Sequence, residues 1–361
     1  MNLAIYGAQG TALGAYQAIH NLYPIRKIEC FLVTSCGDNA ESLAGLPVLE
    51  LDSYADGLSE DEKNNVEILI ATPETVMQEI EKSLDKKGLR CHVRLTSSRF
   101  AQLQSFHCTC DKKFLPLTAL PVGYHKADMH VFMAKFYKDK ELSEKYLKSD
   151  WITPIQVGAV LCRERIANIL DCEGEHISEK NVNYSELTAL YWIWKNRLNG
   201  QWSVNAHGYY GLCHYRRILE LSDDDVLRLE DNEVDVVLPY PMSYEPDIEK
   251  HHKRYIKDRD WAALLQALEE LSPEYAAVFP DILAQPYLYN YNIMIAKKEV
   301  LAAYCSWLFP ILERVEELSI PKGRERNDRY IGYMGETLAT LYFMANRNRM
   351  NIVHAGCRFL T

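Results

Sequence analysis

No apolar run in the chain approaches the roughly 18 residues a bilayer-spanning helix needs, and the start, MNLAIYGAQG, lacks the charged, apolar, small-residue order of a secretion signal. Both absences lead to the expectation of a cytoplasmic protein. Positive charge is not in excess either. The 40 Lys and Arg stand against 50 Asp and Glu, a formal charge of −10, so nucleic acid is not expected as a partner of the whole chain. There is no CxxC pair among the ten cysteines, and most sit singly among apolar residues. Reduced core thiols are the expectation. Cys108-x-Cys110, with His107 beside it, is the one close spacing, and it lacks the second ligand pair of a zinc site. Internal repeats and low-complexity tracts are also missing. What is present is ordinary for a globular protein of about two domains: 361 residues, 48% hydrophobic and 25% charged.

The first domain, expected over residues 1–122, alternates strands and helices. NLAIYGAQGTALGAYQAIHNL reads as an apolar strand, a glycine turn and a helix with alanines on its packed face. Further strands are expected at 28–33 and 66–71, and a helix near 75–84, which together imply a parallel, doubly wound sheet. Gly7, Gly10 and Gly14 are spaced GxxGxxxG, not GxGxxG. A helix N-terminus there suits a phosphate, so the turn admits a nucleotide or nucleotide-sugar, NAD, or no ligand. For NAD an acid should close the second strand; Asp38, after SCG, falls a little late.

From about 100 to 127 the pattern loosens, and the boundary is expected near Gly123. The second domain, 123–361, opens with a strand at 129–134 and continues with ITPIQVGAVL. SELTALYWIWKNRL follows as a helix that Ser185 caps, with Asn183 competing. Leu187, Leu190, Tyr191 and Trp194 on it have helical spacing and read as core. VDVVLPYP reads as a strand, and helices are expected around 259–271 and 330–343.

GLCHYRRIL, residues 211–219, stands out. It reads as one buried strand running to a sheet edge, yet His214, Arg216 and Arg217 occupy its downstream end. In a strand Arg216 and Arg217 face opposite sides while His214 and Arg216 share one. Such a pair suits a diphosphate, because guanidinium offers a planar two-point fork. An ion pair with Glu186 or Glu336 is the structural alternative.

NVNYSELTALYWIWKN followed by YYGLCHYRRIL resembles the domain-of-unknown-function 4422 family of bacterial capsular and exopolysaccharide glycosyltransferases. TPIQVGA, YNIMIAKKEV, YCSWLFPIL and RYIGYMGETL carry the same resemblance, in the family's order, over about 128–350. The first domain is similar, more loosely, to the nucleotide-sugar-binding domains of bacterial sugar acetyltransferases. The resemblance implies an α/β chain: a Rossmann-like parallel-sheet domain, then a GT-A-like glycosyltransferase domain. It implies transfer of a sugar, galactofuranose in some relatives, from a UDP-sugar to a hydroxyl of an oligosaccharide or lipid-linked acceptor, with inversion. The protein is then expected at the inner face of the membrane, in peripheral association with it. The alternatives are an NAD-linked oxidoreductase and a non-catalytic nucleotide-sugar-binding protein. Departures from the family include Ala134-Lys135 where relatives carry His-Lys, Thr337 within Glu336-Thr337-Leu338, and Pro310, expected to interrupt a helix.

For such a transferase, Gln156, Gly158, Glu186, Thr188, Arg217, Asn292 and Asp328 are the candidate substrate-binding residues. UDP is expected at the backbone near Gln156 and Gly158. Where GT-A enzymes place a metal-binding Asp-x-Asp, this chain has His214-Tyr215-Arg216, so fixed cations are expected to hold the leaving diphosphate. No cofactor is then required. The rival site for Mn or Mg is Asp223 with Asp225, although SDDD before VLRLE also reads as a helix cap. An inverting transfer needs a base for the acceptor hydroxyl. Glu336, in RYIGYMGET where Gly332 and Gly335 are expected to leave room for close approach by a ligand, is the first candidate and Asp328 the second.

Overall fold

The computed structural model describes residues 2–37, 39–142, 149–199, 207–322 and 325–360. Asp38 lies outside them. The chain is α/β and forms two compact units. The break falls at Phe114/Leu115, earlier than Gly123, and residues 242–245 group with the first unit.

The first unit runs β1 (Asn2–Tyr6), α1 (Gly10–Leu22), β2 (Ile28–Val33), β3 (Ser42–Leu43), β4 (Leu46–Glu50), α2 (Leu51–Asp56), α3 (Glu60–Asn65), β5 (Val66–Ile70), α4 (Glu74–Lys86), β6 (His92–Arg94) and α5 (Ser97–Asp111). The sheet order is β3-β4-β2-β1-β5-β6. All its pairs are parallel except the short β3–β4 edge. Strand alternation explains why it is covered on both faces. Leu3 and Ile5 pack with Leu13, Phe31 and Phe100, whereas Ala4 and Tyr6 pack with Leu32, Ile68 and Met77.

The second unit contains β7 (Met129–Lys135), β8 (Ile152–Gln156), β9 (Ile169–Leu170), α6 (Asn181–Tyr184), α7 (Leu187–Trp192), β10 (Tyr209–His214), β11 (Arg217–Leu219), α8 (Asp223–Asp231) and β12 (Val236–Pro239). After β13 (Met242–Ser243), which groups with the first unit, come α9 (Ile248–His252), α10 (Asp258–Leu271), α11 (Pro273–Leu283), β14 (Tyr287–Leu288), β15 (Met294–Lys297), α12 (Lys298–Leu318), α13 (Tyr330–Ala345), β16 (Ile352–Ala355) and β17 (Cys357–Phe359). Its large sheet is mixed, in the order β16-β12-β15-β10-β7-β8-β9. β9, β8, β7 and β10 are parallel neighbours, and β15 runs antiparallel between β10 and β12. The chain winds outward from β7 through β8 to β9, then returns to place β10 on the other side of β7. The strand order therefore reverses between β7 and β10, and their C-terminal ends form the crevice where open α/β sheets take ligands.

Four local expectations change. GLCHYRRIL is not one edge strand: β10 is central and ends at His214, Tyr215 and Arg216 form a two-residue turn, and β11 returns antiparallel with His214 opposite Arg217. Gly211 fits β10 against β15 because a Cβ there would meet the Met294 carbonyl oxygen at 2.4 Å. Ser185 does not cap a helix. Its φ is +51° and it closes α6, and Glu186 precedes α7 without a side-chain cap. The helix of Leu187 and Leu190, both fully buried, continues past Trp192 as a π-helical turn, 193–198. Pro310 leaves α12 unbroken. The lost N–H costs one bond, and packing of α12 on α10 and α13 carries the helix past it.

Candidate functional site

His214 ends β10 at the crevice, level with Ala134 of β7. Three further elements converge on it: Glu186 ahead of α7, the loop between β14 and β15, and the first turns of α13. In that loop Tyr291 and Asn292 both have left-handed backbones, φ +74° and +50°. Asparagine tolerates this region; tyrosine rarely enters it. Such strain persists where the surroundings over-determine it, and here the Tyr291 peptide is held from both sides: its N–H donates to the Glu336 carboxylate and its carbonyl accepts from His214. The Asn292 amide donates to Glu186 Oε1 at 2.7 Å and to the Gly332 carbonyl at 3.2 Å. Asn290 Nδ2 reaches Glu336 Oε2 at 3.5 Å. Arg217 lies over the Tyr291 ring at 4.3 Å, with Phe359 at 5.6 Å. Arg329, just ahead of α13, reaches Glu186 Oε2 at 3.5 Å and donates to Ser185 Oγ at 2.8 Å.

The electrostatics of this cluster are uneven. Burial, reinforced by the negative charge of Glu186, pushes the Glu336 carboxyl up to about 8, against the opposing pull of the Tyr291 N–H, Arg217 and Arg329. The side chain still has partial access to solvent. Burial lowers the His214 imidazole, and Arg217 and Arg329 add to the effect against the raising influence of Glu186 and the Tyr291 carbonyl. His214 is therefore neutral near pH 7. Its Nε2 stands 3.8 Å from Glu186 Oε1 and, like Arg217 Nε, finds no hydrogen-bond partner among the described residues. Unpaired buried polar atoms are rare enough to call for an explanation: Arg217 Nε is a donor, and His214 Nε2, with the ring proton given to the Tyr291 carbonyl, is an acceptor.

The structure thus brings together Glu336, His214, Glu186, Arg217 and Asn292. Of the three expected cations, His214 is neutral, and Arg216 sits in the hairpin turn with its Nε pointing to the Leu360 carbonyl at 3.4 Å. Arg217 remains, joined by Arg329. Asp139, in the loop after β7, accepts from the Phe136 N–H at 2.7 Å; burial raises its carboxyl, against that bond and the charges of Lys135, Arg216 and Arg329. Gly335 does not leave room for a ligand. A Cβ there would meet Leu187 Cδ1 at 2.7 Å and Asn292 Oδ1 at 3.0 Å, so it lets α13 approach the loop. Gly332 faces Ser185.

Other candidates are spent on the protein itself. The Gln156 amide donates to the Glu164 carbonyl and its oxygen accepts from Ile166 N–H, bracing the loop after β8. The Gly158 and Ala159 N–H groups, the Ser178 hydroxyl and the Thr188 hydroxyl all donate to Asp171, a fully buried carboxylate that the sequence pattern did not single out. The Gly158 N–H that was expected to meet UDP is therefore occupied. Asp328 pairs with Arg326 at 2.8 Å and 2.5 Å, in a network with Asp260. Asp223 opens α8, and Asp225 completes the cap of Ser222 while accepting from Arg228. Asp225 is thereby committed to the helix start, and Asp223 stays exposed beside it. Among the described residues no group of three His, Cys, Asp or Glu side chains is placed to hold a metal; His107 bonds Asn21 and Cys108 is buried. In the first unit a Cβ at Gly7, φ +127°, would strike the Ala71 carbonyl oxygen at 2.6 Å. Gly10 abuts Met242 and Ser243, and Gly14 abuts Phe100. All three glycines serve close packing around the β1 turn.

The sequence reading missed Tyr291 and Asn290 at the crevice, and considered Arg329 only as an ion-pair partner of Glu336. YLYNYNIM did carry a signal: two asparagines around a tyrosine, directly before a strand, are turn formers able to take left-handed backbone.

The chain belongs to the family described as DUF4422, a domain of unknown function, whose model matches residues 136–347. No curated protein matches it. Its fold is similar to that of the WbbM bifunctional glycosyltransferase, solved in the apo state, with a TM-score of 0.55 and 24% identity. The match covers 65% of this chain and 45% of that one, so the chain spans less than half of that protein's length. Among the described residues no helix is long and apolar enough to cross a membrane.

Proposed function

We propose that the chain is a glycosyltransferase that moves a sugar from a nucleoside-diphosphate donor, UDP-linked, to a hydroxyl of an oligosaccharide acceptor, with inversion and in the manner of the GT-A class. The carrying observation is the raised, partly accessible Glu336 carboxyl facing Arg217 and the unpaired His214 Nε2 at the crevice between β7 and β10. Membership of the family and the fold shared with a protein titled a glycosyltransferase support the same reading.

The chemistry is one displacement. The acceptor oxygen forms a bond to the anomeric carbon as the bond from that carbon to the diphosphate breaks, and the electron pair leaves with the diphosphate. The proton released from the acceptor hydroxyl goes to Glu336. A base whose ionisation lies near the working pH combines availability with driving force. Arg217, stacked on Tyr291, presents its fork to the developing anion, and His214, whose ring proton goes to the Tyr291 carbonyl, offers Nε2 as an acceptor for a substrate hydroxyl. No step calls for a divalent ion, so EDTA should leave most of the activity. Glu186 has its oxygens committed to Asn292 and Arg329, which leaves Glu336 as the proton acceptor. A capsular or exopolysaccharide acceptor and galactofuranose as the sugar remain part of this reading through the family resemblance.

The test is a panel of UDP-sugars with oligosaccharide acceptors, followed by UDP release and product mass. Acceptor-dependent release from one donor, lost in Glu336→Gln, is expected. Reduction of NAD by any substrate in the same panel, without sugar transfer, would replace this reading with an oxidoreductase.

A further inference from the structure

The loop between β14 and β15 holds two carboxylates with two asparagines. Asn292 takes Glu186 at 2.7 Å, and Asn290 takes Glu336 at 3.5 Å. The same Asn292 amide grips the Gly332 carbonyl, one helical turn ahead of Glu336 on α13, so Glu186 is fixed in position relative to the helix that carries Glu336. We propose that Glu186 is a positioning residue for Glu336: a clamped negative charge that sets how tightly Glu336 holds the proton it takes from the acceptor. The proposal rests on Glu336 being the base, and deepens that reading.

The groups facing Glu336 are few. Arg217 at the start of β11 and Arg329 ahead of α13 are its cations, Glu186 ahead of α7 is the other acid, and the Tyr291 peptide donates from the loop. His214 at the end of β10 is neutral and brings no charge. Glu186 is nearly buried at 7% exposure, and its ion-pair partner Arg329 is 60% exposed and 3.5 Å away. Water screens a cation of that kind, so it offsets Glu186 only in part. Two acids in one poorly hydrated site do not both ionise readily, and one is left holding a proton. Glu336 is the one that burial raises, and it has the weaker bonding: Glu186 receives the short hydrogen bond and the arginine, whereas Glu336 receives one long contact and a peptide N–H. The consequence for transfer is direct. As the acceptor proton arrives, Glu336 becomes neutral and the repulsion from Glu186 disappears, so Glu186 favours the protonated product over the resting carboxylate.

The experiment reads the proton itself and needs no turnover. In protein carrying carboxyl-labelled glutamate, the Glu336 resonance is identified by its loss in Glu336→Gln and followed against pH. In the full wild-type chain the midpoint is expected at about 8. In Glu186→Gln, where the amide oxygen still accepts from Asn292, it should fall by about one pH unit or more. An unchanged midpoint overturns the proposal. Should Glu186→Gln fail to fold, Asn292→Gly keeps the left-handed backbone but releases Glu186 from the clamp, and should lower the midpoint; no fall overturns the proposal equally. The two readings separate cleanly. A midpoint that moves as expected while Glu336→Gln still transfers sugar at the wild-type rate would remove Glu336 as base and leave the charge relation standing.

Discussion

Two carboxylates of the second unit, Asp171 and Glu336, are treated in opposite ways. Asp171 has four donors within 3.0 Å and no exposure. Glu336 has a peptide N–H, one amide at 3.5 Å, a like charge nearby and a partial path to solvent. The first arrangement is saturated: its oxygens are taken up by donors of the fold and have no capacity left for a ligand. The second is under-bonded, which costs stability and leaves lone pairs facing a crevice. Burial of a charged residue alone therefore does not mark a site. The difference lies in how many donors the fold has already committed.

Substitution at each carboxylate should separate these roles. The largest effect is expected in turnover. Glu336→Gln keeps size and contacts but cannot accept the proton, and should lower the transfer rate by about 10²–10⁴-fold while donor binding, followed by the thermal shift that UDP produces, is kept. Asp171→Ala should do the reverse. Four donors lose their acceptor in the interior, so about 3 kcal/mol or more of stability should disappear in chemical denaturation, and transfer should fail only as the fold fails. A smaller contrast lies within the hairpin. Arg217→Ala should cut turnover by roughly 10- to 100-fold with partial rescue by lysine, and Arg216→Ala should cost much less, because its guanidinium is turned towards Leu360. Equal losses at the two arginines would break the distinction drawn between them.

The smallest effect concerns stability against pH. The folded Glu336 carboxyl binds its proton more tightly than the unfolded one, so the folded state gains from protonation, and that gain is lost as pH rises from about 4.5 to about 8. Gln imitates the protonated form. Glu336→Gln should therefore match the wild type in stability near the acidic end and exceed it above pH 8, by an amount of order 1–3 kcal/mol. Melting curves of both proteins across this window check it.

Much of the fold was legible in the sequence because local patterns decide it. The apolar strand, glycine turn and alanine-faced helix at the N-terminus, the strand opening at Met129 and the helix opening at Asp258 each follow from periodicity and composition. GLCHYRRIL was misread as one strand because a two-residue hairpin there uses Tyr215 and Arg216, neither of which is a typical turn former. That misreading gave Arg216 the leading role and Arg217 the secondary one, whereas the reversal sets Arg217 over Tyr291 and turns Arg216 Nε to Leu360. Glu336, Glu186, His214 and Asn292 were found from motif and residue type. Their grouping was not, since it depends on a left-handed Tyr291 whose conformation only the tertiary surroundings impose. Asp171 escaped notice for a similar reason: its four donors come from Gly158, Ala159, Ser178 and Thr188, which no local pattern links to it.

The most direct test of the account is the rate of acceptor-dependent UDP release from the wild-type chain as a function of pH, measured beside Glu336→Gln. The account predicts a wild-type rate that climbs tenfold per pH unit below a bend at about 8 and then levels, with that climb absent from the residual activity of Glu336→Gln. A wild-type rate that is flat through neutral pH, or the same bend in both proteins, would contradict it.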